Sequence, residues 1–185
     1  YEISNDRTQK VTAEGQQLYV TYTGGQRHEI YPNAKGADQF FFEDGLMGIH
    51  FIRDEAGKVV TAQTTQRGRS QHKATRTSEV VETQKAIQLD PALLQVYAGT
   101  YDMGPFKLSF TVENGKIFGR PGGASKEELF AKGNDQFFLK TIDASVEFVR
   151  NDNEVTGVKL YQGNRALEGK RLAETKIAKQ VSFSQ

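Results

Sequence analysis

A serine and a lysine three residues apart are the first side chains whose types and spacing could do chemistry. Ser70 and Lys73 match the Ser-x-x-Lys motif, in which the lysine helps to activate a serine for attack on an acyl group. That chemistry needs a helix to bring the lysine back beside the serine, whereas residues 67–70 belong to a strand-poor, polar stretch. The chain also has no Ser-Asp-Asn or Lys-Thr-Gly partner motif. We therefore predict that Ser70 is not a nucleophile.

Three evenly spaced histidines could in principle converge on a zinc ion. His28, His50 and His72 are 22 residues apart, and strands of a barrel could bring them together. His28 begins a His-Glu-x-x-His match, but Pro32 stands where the second histidine is required. His50 is the neighbour of Phe51 on a predicted strand, so it is expected to face solvent. We interpret all three as solvated surface residues and predict no metal site.

Two acidic pairs and two glycine pairs resemble parts of catalytic or phosphate-binding sites. Residues 43–44 and 127–128 are adjacent carboxylates, but neighbours on a strand point to opposite faces and cannot easily share a proton. No helix follows the glycine pairs at 24–25 and 122–123, so we interpret them as hairpin turns. The sequence thus predicts no catalytic, cofactor-binding or metal-binding residue, and it leaves any ligand-binding residues unknown.

Charge and composition narrow the classes of partner. The 185 residues carry a net charge of +1, with 11 basic and 11 acidic side chains in residues 1–85 and 13 and 12 in residues 86–185. Neither half is basic enough to predict binding to nucleic acid or to an anionic membrane. No apolar run has the length of a transmembrane helix, and the absence of cysteine excludes disulfides. Four basic residues form a stripe: Arg67, Arg69, Lys73 and Arg76. We interpret this stripe as a solvated face, and binding to an acidic surface of a partner is the alternative.

An internal repeat determines which elements position these side chains. Residues 12–31 correspond to residues 111–130 without a gap, at a constant offset of 99 residues. After a loop that is two residues longer in the first copy, the correspondence continues in shorter blocks. These blocks pair 38–42 with 135–139, 49–53 with 146–150, 66–68 with 161–163, and Arg76 with Arg171. The repeat indicates two units of one fold.

The two copies differ at their beginnings. Residues 1–3 correspond to residues 101–103, but only the second copy has a lead-in, residues 89–100. We therefore expect the first copy to be truncated and the natural protein to continue upstream of Tyr1. A linker without glycine or proline joins the copies and is expected to be extended and docked. The predicted units are a first repeat at 1–76, the linker at 77–88, a second repeat at 89–174 and a C-terminal tail at 175–185.

Each copy is predicted to be all-β. Phe106, Leu108 and Phe110 alternate with polar residues along one strand, and Asn114-Gly115 forms a two-residue hairpin turn. Consecutive strands with tight turns are antiparallel, and closure removes exposed edges. We therefore predict two tandem, small, antiparallel up-and-down β-barrels of about eight strands each. The strands predicted in the second copy are 98–103, 106–113, 116–120, 126–131, 135–141, 145–151, 155–161 and 165–172.

One short helix is predicted before the second barrel. Asp90 is a favourable N-cap and Pro91 suits the first helical position, while Gly99 could end the helix. This helix should plug or buttress one end of the second barrel. A barrel of this size is usually filled by side chains, and the phenylalanine runs at 40–42 and 137–138 favour filling. A cavity for one small ligand is the alternative.

The second copy resembles a known domain family. The pattern that carries the resemblance comprises residues 94–101, 113–115, 128–130, 135–138, 146–149 and 169–172. It is similar to the lipocalin-like C-terminal domain of uncharacterised function that is appended to bacterial serine hydrolases of the penicillin-binding-protein and class C β-lactamase type. Residues 89–172 match along their whole length, and residues 1–76 match as a more divergent copy. The resemblance implies an eight-stranded barrel, a bacterial host, export to the periplasm or the exterior, and an accessory role.

Three functions follow from these observations. The first is a non-catalytic accessory module that packs on or gates a serine hydrolase domain upstream in the same chain, or that forms a homo-oligomer. The second is a lipocalin-like carrier of a small apolar or aromatic ligand, with Tyr19, Tyr22 and Tyr31 near the barrel strands. The third is an independent enzyme that uses His28, His50 or the carboxylates. The missing catalytic constellation favours the first, with no cofactor and no nucleic acid or membrane partner.

Overall fold

Two closed antiparallel β-barrels make up the described part of the molecule. The computed structural model describes residues 1–4, 7–34, 36–77 and 84–173. Each barrel has eight strands that pair in chain order, and its last strand pairs with its first. The predicted all-β fold with two small up-and-down barrels is confirmed. Residues 78–83 of the predicted linker and the predicted tail at 175–185 lie outside the described residues.

The strands follow one another with short connections. Barrel 1 consists of β1 (Glu2–Ser4), β2 (Arg7–Glu14), β3 (Gln17–Tyr22), β4 (Arg27–Pro32), β5 (Gln39–Phe42), β6 (Met47–Arg53), β7 (Val59–Gln66) and β8 (Arg69–Thr75). Barrel 2 consists of β9 (Gly99–Asp102), β10 (Lys107–Glu113), β11 (Lys116–Pro121), β12 (Glu127–Gly133), β13 (Gln136–Phe138), β14 (Ala144–Asn151), β15 (Glu154–Gln162) and β16 (Arg165–Arg171). A short helix α1 (Pro91–Leu94) and a 3₁₀ turn (Gln95–Tyr97) precede barrel 2.

Local sequence explains most strand boundaries. Asn114 and Gly115 have φ angles of 51° and 74°, which is the left-handed conformation that a two-residue hairpin requires. The strand predicted at 135–141 is too long, because β13 ends at Phe138. Residues 139–143 lie outside the strand, and residues 141–143 of this segment pair with barrel 1, a tertiary contact that local propensity does not reveal.

The predicted helix forms and closes one end of barrel 2. Asp90 Oδ1 accepts a hydrogen bond from the Ala92 N–H at 2.9 Å, which is the expected N-cap interaction. The helical segment ends at Tyr97 rather than at Gly99, which is the first residue of β9. Leu94 and Tyr97 are buried in the core of barrel 2, so the helix acts as the predicted plug.

Aromatic rings fill the interior of barrel 2. The ring of Phe148 lies at the centre, and its centroid is 4.5 Å from Tyr97, 4.8 Å from Phe110 and 5.6 Å from Phe137. Tyr101 completes the group at 5.8 Å from Phe148. Edge-to-face and stacked pairs of this kind contribute about 0.5–1.5 kcal/mol each beyond the area that they bury. The expectation of a filled barrel therefore holds for barrel 2.

Barrel 1 has a smaller core. Its two buried phenylalanines are Phe42 and Phe51, whereas Phe41 points outward and Phe40 is only partly buried. The remaining buried apolar residues of barrel 1 are aliphatic or small: Val20, Ile30, Ile49, Ala62 and Ala74. These side chains are smaller than the aromatic rings that fill barrel 2. The interior of barrel 1 therefore also contains buried polar side chains, and these are its candidate ligand-binding groups.

The barrels differ by one residue in their final hairpin. In barrel 1 a β-bulge between Thr64 and Thr65 interrupts the β7–β8 ladder, and Gln66 pairs with Arg69. In barrel 2 the β15–β16 ladder is regular, and Gln162 pairs with Arg165. Gln66 is therefore structurally equivalent to Gln162. The sequence blocks had paired it with Tyr161, so the predicted alignment is wrong by one residue here.

A backbone joint connects the two barrels. The Arg27 N–H donates to the Thr141 carbonyl at 2.7 Å, and the Asp143 N–H donates to the Gly25 carbonyl at 2.9 Å. Between them, Gln26 forms an isolated antiparallel bridge with Ile142. A segment of barrel 2 thus pairs with the chain that enters β4 of barrel 1.

Side chains reinforce this joint. Asp143 accepts hydrogen bonds from the Gly24 backbone N–H at 2.9 Å and from Lys10 Nζ at 3.1 Å. Gln162 Nε2 donates to the Gly24 carbonyl at 2.9 Å. A Cβ at Gly163 would lie 2.8 Å from the Gly24 nitrogen, so only glycine fits there. The linker is also docked where it is described, because the Ile87 N–H donates to the Ala131 carbonyl at 2.8 Å.

Candidate functional site

A buried glutamine inside barrel 1 is the starting point of the candidate site. Gln9 lies on β2 and is 0% exposed. Its Oε1 and Nε2 atoms are buried, and neither has a hydrogen-bond partner in the protein. A buried amide left unpaired costs about 1–3 kcal/mol, so such groups in folded proteins normally bind something. The amide of Gln9 can offer both a donor and an acceptor to a small molecule.

Three further polar side chains are connected to Gln9 through its cross-strand partner Tyr22. Tyr22 on β3 is its cross-strand partner, and the Tyr22 hydroxyl lies 3.4 Å from Thr64 Oγ1 on β7. Thr64 is 0% exposed and pairs with His72 on β8. The His72 ring meets the Tyr22 ring edge-on at 5.9 Å, and its buried Nε2 has no protein partner. We call Gln9, Tyr22, Thr64 and His72 the polar cluster.

The polar cluster is electrically neutral near pH 7. Burial, followed by the nearby Arg7 guanidinium, lowers the pKa of His72 below its ordinary value. Burial also raises the pKa of Tyr22, so its phenol keeps its proton. The cluster contains no carboxylate. Its chemistry is therefore that of neutral hydrogen-bond donors and acceptors on a mostly apolar wall, which suits recognition of a polar group better than acid–base catalysis.

Barrel 2 has apolar residues at the same four places. Its ladders place Leu108 opposite Pro121, as Gln9 is opposite Tyr22, and Leu160 opposite Leu167, as Thr64 is opposite His72. Leu108 is 4% exposed and belongs to the main core of barrel 2. Leu160 packs against that core, whereas Pro121 and Leu167 are exposed. The same fold therefore accepts apolar residues at these four places. The polar cluster is a property of barrel 1 and not a requirement of the barrel.

The Ser-x-x-Lys residues do not form a nucleophilic site. Ser70 and Lys73 lie on strand β8, so the prediction of a strand-poor stretch is wrong, although the predicted absence of a helix there is confirmed. Ser70 Oγ accepts a hydrogen bond from Gln63 Nε2 at 2.8 Å, and Lys73 is exposed.

The three histidines do not converge, and two of them are partly buried. His50 is exposed, as predicted. His28 is partly buried, with its ring 5.9 Å from Phe42, and His72 belongs to the polar cluster, so the prediction that both are solvated is wrong. Both lie on the same face of their strands as buried core residues, and that face points inward. In the described ranges, no group of three or more His, Asp or Glu residues could hold a metal ion.

The acidic and glycine pairs have structural roles. Asp44 accepts hydrogen bonds from the N–H groups of Leu46 and Met47 in the β5–β6 turn, so residues 43–44 are not strand neighbours as expected. Residues 127–128 lie on β12, as predicted, and Glu128 forms an ion pair with Lys116 at 3.1 Å. The glycine pairs at 24–25 and 122–123 are in hairpin turns, as predicted.

Two predicted surface features are also located by the structure. Arg67, Arg69 and Lys73 of the basic stripe are exposed, whereas Arg76 is partly buried and donates to the Val59 carbonyl at 3.1 Å. Of the three tyrosines proposed near the strands, only Tyr22 is in the polar cluster. Tyr19 and Tyr31 lie on the outer face, where Arg27 stacks over Tyr19 at 3.5 Å and Tyr31 stacks on Phe41 at 5.6 Å. Among the helices of the described residues, none is long and apolar enough to span a membrane.

Comparison with known proteins gives no family. A scan against protein-family models finds no matching family, and a search of curated proteins finds no match. The described residues form a pair of joined, eight-stranded antiparallel barrels, of which one has a plugged aromatic core and the other the polar cluster. Any function has to be argued from these residues.

Sequence reasoning missed Gln9 and Thr64. Neither residue type marks a site by itself, because glutamine and threonine are common on strand surfaces. The offset of 99 residues between the copies places Gln9 against Leu108, and Leu108 was predicted to face inward. Gln9 is therefore polar at an inward position where the other copy has an apolar residue. This difference between the copies could have identified Gln9 from the sequence.

Proposed function

We propose that this chain is a non-catalytic accessory module of an exported bacterial serine hydrolase of the β-lactamase and penicillin-binding-protein type. It acts by packing on or gating the catalytic domain, or by self-association. The observation that carries the proposal is the joint between the barrels. A catalytic domain that binds both barrels gains a single preorganised surface, because hydrogen bonds through Gly24, Arg27 and Asp143 already hold the barrels together.

Two further features support this proposal. Barrel 2 has an aromatic core closed by its own helix, which suits a scaffold more than a reaction chamber. The sequence pattern at residues 94–101 and 135–138 resembles the accessory domains of such hydrolases. The outer face at Tyr19, Arg27 and Tyr31 offers aromatic and charged groups together, a composition that is enriched in protein interfaces.

The test uses the complete reading frame that encodes this chain. We expect a serine hydrolase domain in the same frame, and we expect removal of the barrel pair to change kcat/KM for ester or β-lactam substrates. A full-length Gly163→Ala variant should reproduce part of that change, because the new Cβ would overlap Gly24 and disturb the joint that holds the two barrels together. A frame without a hydrolase domain would contradict the proposal. So would turnover by the isolated chain that His72→Ala abolishes.

A second candidate function is favoured by the polar cluster. Barrel 1 carries a ligand in its interior, with the apolar wall around Val20, Ile49 and Ala62 and with Gln9 and His72 bonding the polar group of that ligand. The matching ligand is a small, mostly apolar or aromatic molecule with one neutral polar group that both donates and accepts hydrogen bonds.

Thermal shift and NMR titration with a panel of aromatic amides, phenols and fatty acids test this candidate. A ligand should raise the unfolding temperature and shift the side-chain amide signals of Gln9. The matched control is Gln9→Leu, which restores the residue type that barrel 2 has at Leu108 and should abolish the shift. If no compound changes the Gln9 signals, the carrier function is wrong.

A further inference from the structure

A small depression lies on the outer face of barrel 1, where β5, β6 and β7 run side by side. Its volume is about 200 Å³, roughly the space of six or seven water molecules. The strand ladders arrange its outward side chains in two rows, one of Gln39, His50 and Gln63 and one of Gly48 and Thr65. Because the three strands belong to a closed sheet, the backbone beneath the depression is held in place.

The glycine at position 48 keeps this depression open. A Cβ there would lie 2.9 Å from Thr65 Oγ1 and 3.4 Å from the Phe40 carbonyl oxygen, so a larger residue would have to displace the Thr65 side chain. Gly48 does not have a positive φ angle, and its backbone conformation therefore does not require glycine. The missing side chain is a feature of this surface and not of the chain path.

An exposed aromatic ring lies beside Gly48. Phe41 is the cross-strand partner of Gly48 on β5 and is 38% exposed on the outer face. On the other side of Phe41, the ring of its partner Tyr31 stacks on it, with centroids 5.6 Å apart and 28° between the ring planes. Tyr31 thus supports the Phe41 ring from one strand, while the neighbouring strand carries no side chain at Gly48. Phe41 can therefore receive a flat, weakly polar group on the Gly48 side.

The other side chains of the depression are hydrogen-bonding groups. Gln39 and Gln63 offer amide donors and acceptors, Thr65 offers a hydroxyl, and His50 adds an imidazole. A hydrogen bond from Gln63 Nε2 to Ser70 Oγ, at 2.8 Å, orients the Gln63 amide. None of the described residues that line the depression is an Asp, Glu, Lys or Arg. This set suits a neutral ligand with several hydroxyl groups better than it suits an ion.

The same face of barrel 2 is built from different residues. The strand ladders assign four equivalent positions, at which barrel 2 has larger or charged side chains: Ser145 for Gly48, Glu147 for His50, Lys159 for Gln63 and Tyr161 for Thr65. The Tyr161 hydroxyl donates to Glu147 Oε2 at 3.2 Å, so a large side chain crosses this face. Phe138, the equivalent of Phe41, is only 6% exposed. The barrel fold therefore does not require the neutral depression or the exposed ring of barrel 1.

We propose that this depression binds one sugar ring of a neutral oligosaccharide. The C–H face of the ring packs on Phe41, and its hydroxyl groups exchange hydrogen bonds with the amides of Gln39 and Gln63. A sugar ring has one weakly polar face and a rim of hydroxyls that both donate and accept, which is the combination that an aromatic ring beside neutral amides recognises. This site lies on the outside of barrel 1 and does not depend on either function proposed above.

The experiment is an NMR titration of the full chain with three neutral probes: maltotetraose, cellotetraose and N-acetylchitotetraose. We expect at least one probe to shift the side-chain amide signals of Gln39 and Gln63 by about 10 mM, ten times a dissociation constant of about 1 mM. Phe41→Ala should weaken this binding by about tenfold, because the ring loses its stacking surface. Thr65→Tyr, which introduces the residue type of Tyr161, should abolish it by filling the depression.

The matched control is Gln136→Ala, at the exposed barrel 2 equivalent of Gln39, and this variant should bind as the parent does. Phe41 lies on the outer face, so Phe41→Ala should keep the dispersed amide spectrum of the folded chain. The proposal is overturned if none of the three probes shifts the Gln39 and Gln63 signals, or if the parent and Phe41→Ala titrate alike. Shifts centred on Gln9 would also overturn it, since the ligand would then enter the interior of barrel 1.

Discussion

Substitution of Gly163 by alanine should weaken the joint between the barrels selectively. The new Cβ would lie 2.8 Å from the Gly24 nitrogen and 2.9 Å from Thr23 Cγ2, about 0.6 Å inside ordinary van der Waals contact. The barrels must separate locally to relieve this overlap, and the Gly24 bonds to Asp143 and Gln162 are the nearest ones to lengthen. Two hydrogen bonds of about 1 kcal/mol each give a loss of about 2 kcal/mol at the joint.

Alanine at a positive φ angle is strained in any case, so a control must carry the same strain without the overlap. Gly15→Ala does so, because Gly15 has φ 60° against 56° for Gly163 and a Cβ there would meet nothing within 4 Å. Hydrogen exchange of the Arg27 and Asp143 amides, which both bond across the joint, is the assay. About 2 kcal/mol predicts roughly 30-fold faster exchange in Gly163→Ala. Equal exchange in the two variants would refute the reasoning.

Three further predictions concern the cores. Gln9→Leu should stabilise barrel 1 by about 1–3 kcal/mol in urea unfolding, because it removes an unpaired buried amide; a loss of stability would show that the amide is already hydrogen-bonded. Because the pKa of His72 is lower in the folded state, the unfolded state takes up the His72 proton at a higher pH than the folded state does. The free energy of unfolding should therefore be constant above about pH 6.5 and decrease as the pH falls from there through the lowered pKa. Thermal melts between pH 7.5 and pH 5 should show this fall in the parent chain and a smaller one in His72→Gln, and equal slopes would contradict it. Phe148→Ala should cost barrel 2 about 3–5 kcal/mol, whereas Val149→Ala, at an exposed neighbour, should cost under about 0.5 kcal/mol; similar losses from the two changes would mean that Phe148 is not the centre of the core.

Local patterns predicted the secondary structure well where neighbours in sequence control it. The Asn114-Gly115 turn, the Asp90 cap and the inward face of Leu108 and Phe110 all follow from backbone preferences or from the two-residue period of a strand. The strand at 135–141 was predicted too long because the chain leaves the sheet after Phe138, and the segment that follows pairs with the other barrel at residues 141–143. A contact between residues more than 100 positions apart leaves no local trace.

The candidate site was harder to predict because it depends on which face of a strand points inward. His28 and His72 look like surface residues in a polar sequence, and a bulge in β7–β8 changes the register around His72. Gln9 became visible only when its burial and its missing partners were known. The repeat aligns Gln9 with the apolar Leu108, which suggests an inward position for Gln9. Only the closed barrel shows that Gln9 is in fact buried.

The sequence by itself determined that the chain forms two similar all-β units, because the repeat, the turns and the alternation of apolar residues are written in neighbouring positions. Only the tertiary structure decided that the units are joined at Gly24 and Asp143, that one barrel is plugged by Tyr97, and that the other has a polar interior. The physical reason is that burial and hydrogen-bond pairing belong to the closed barrel as a whole. A residue such as Gln9 acquires its role only when distant strands enclose it.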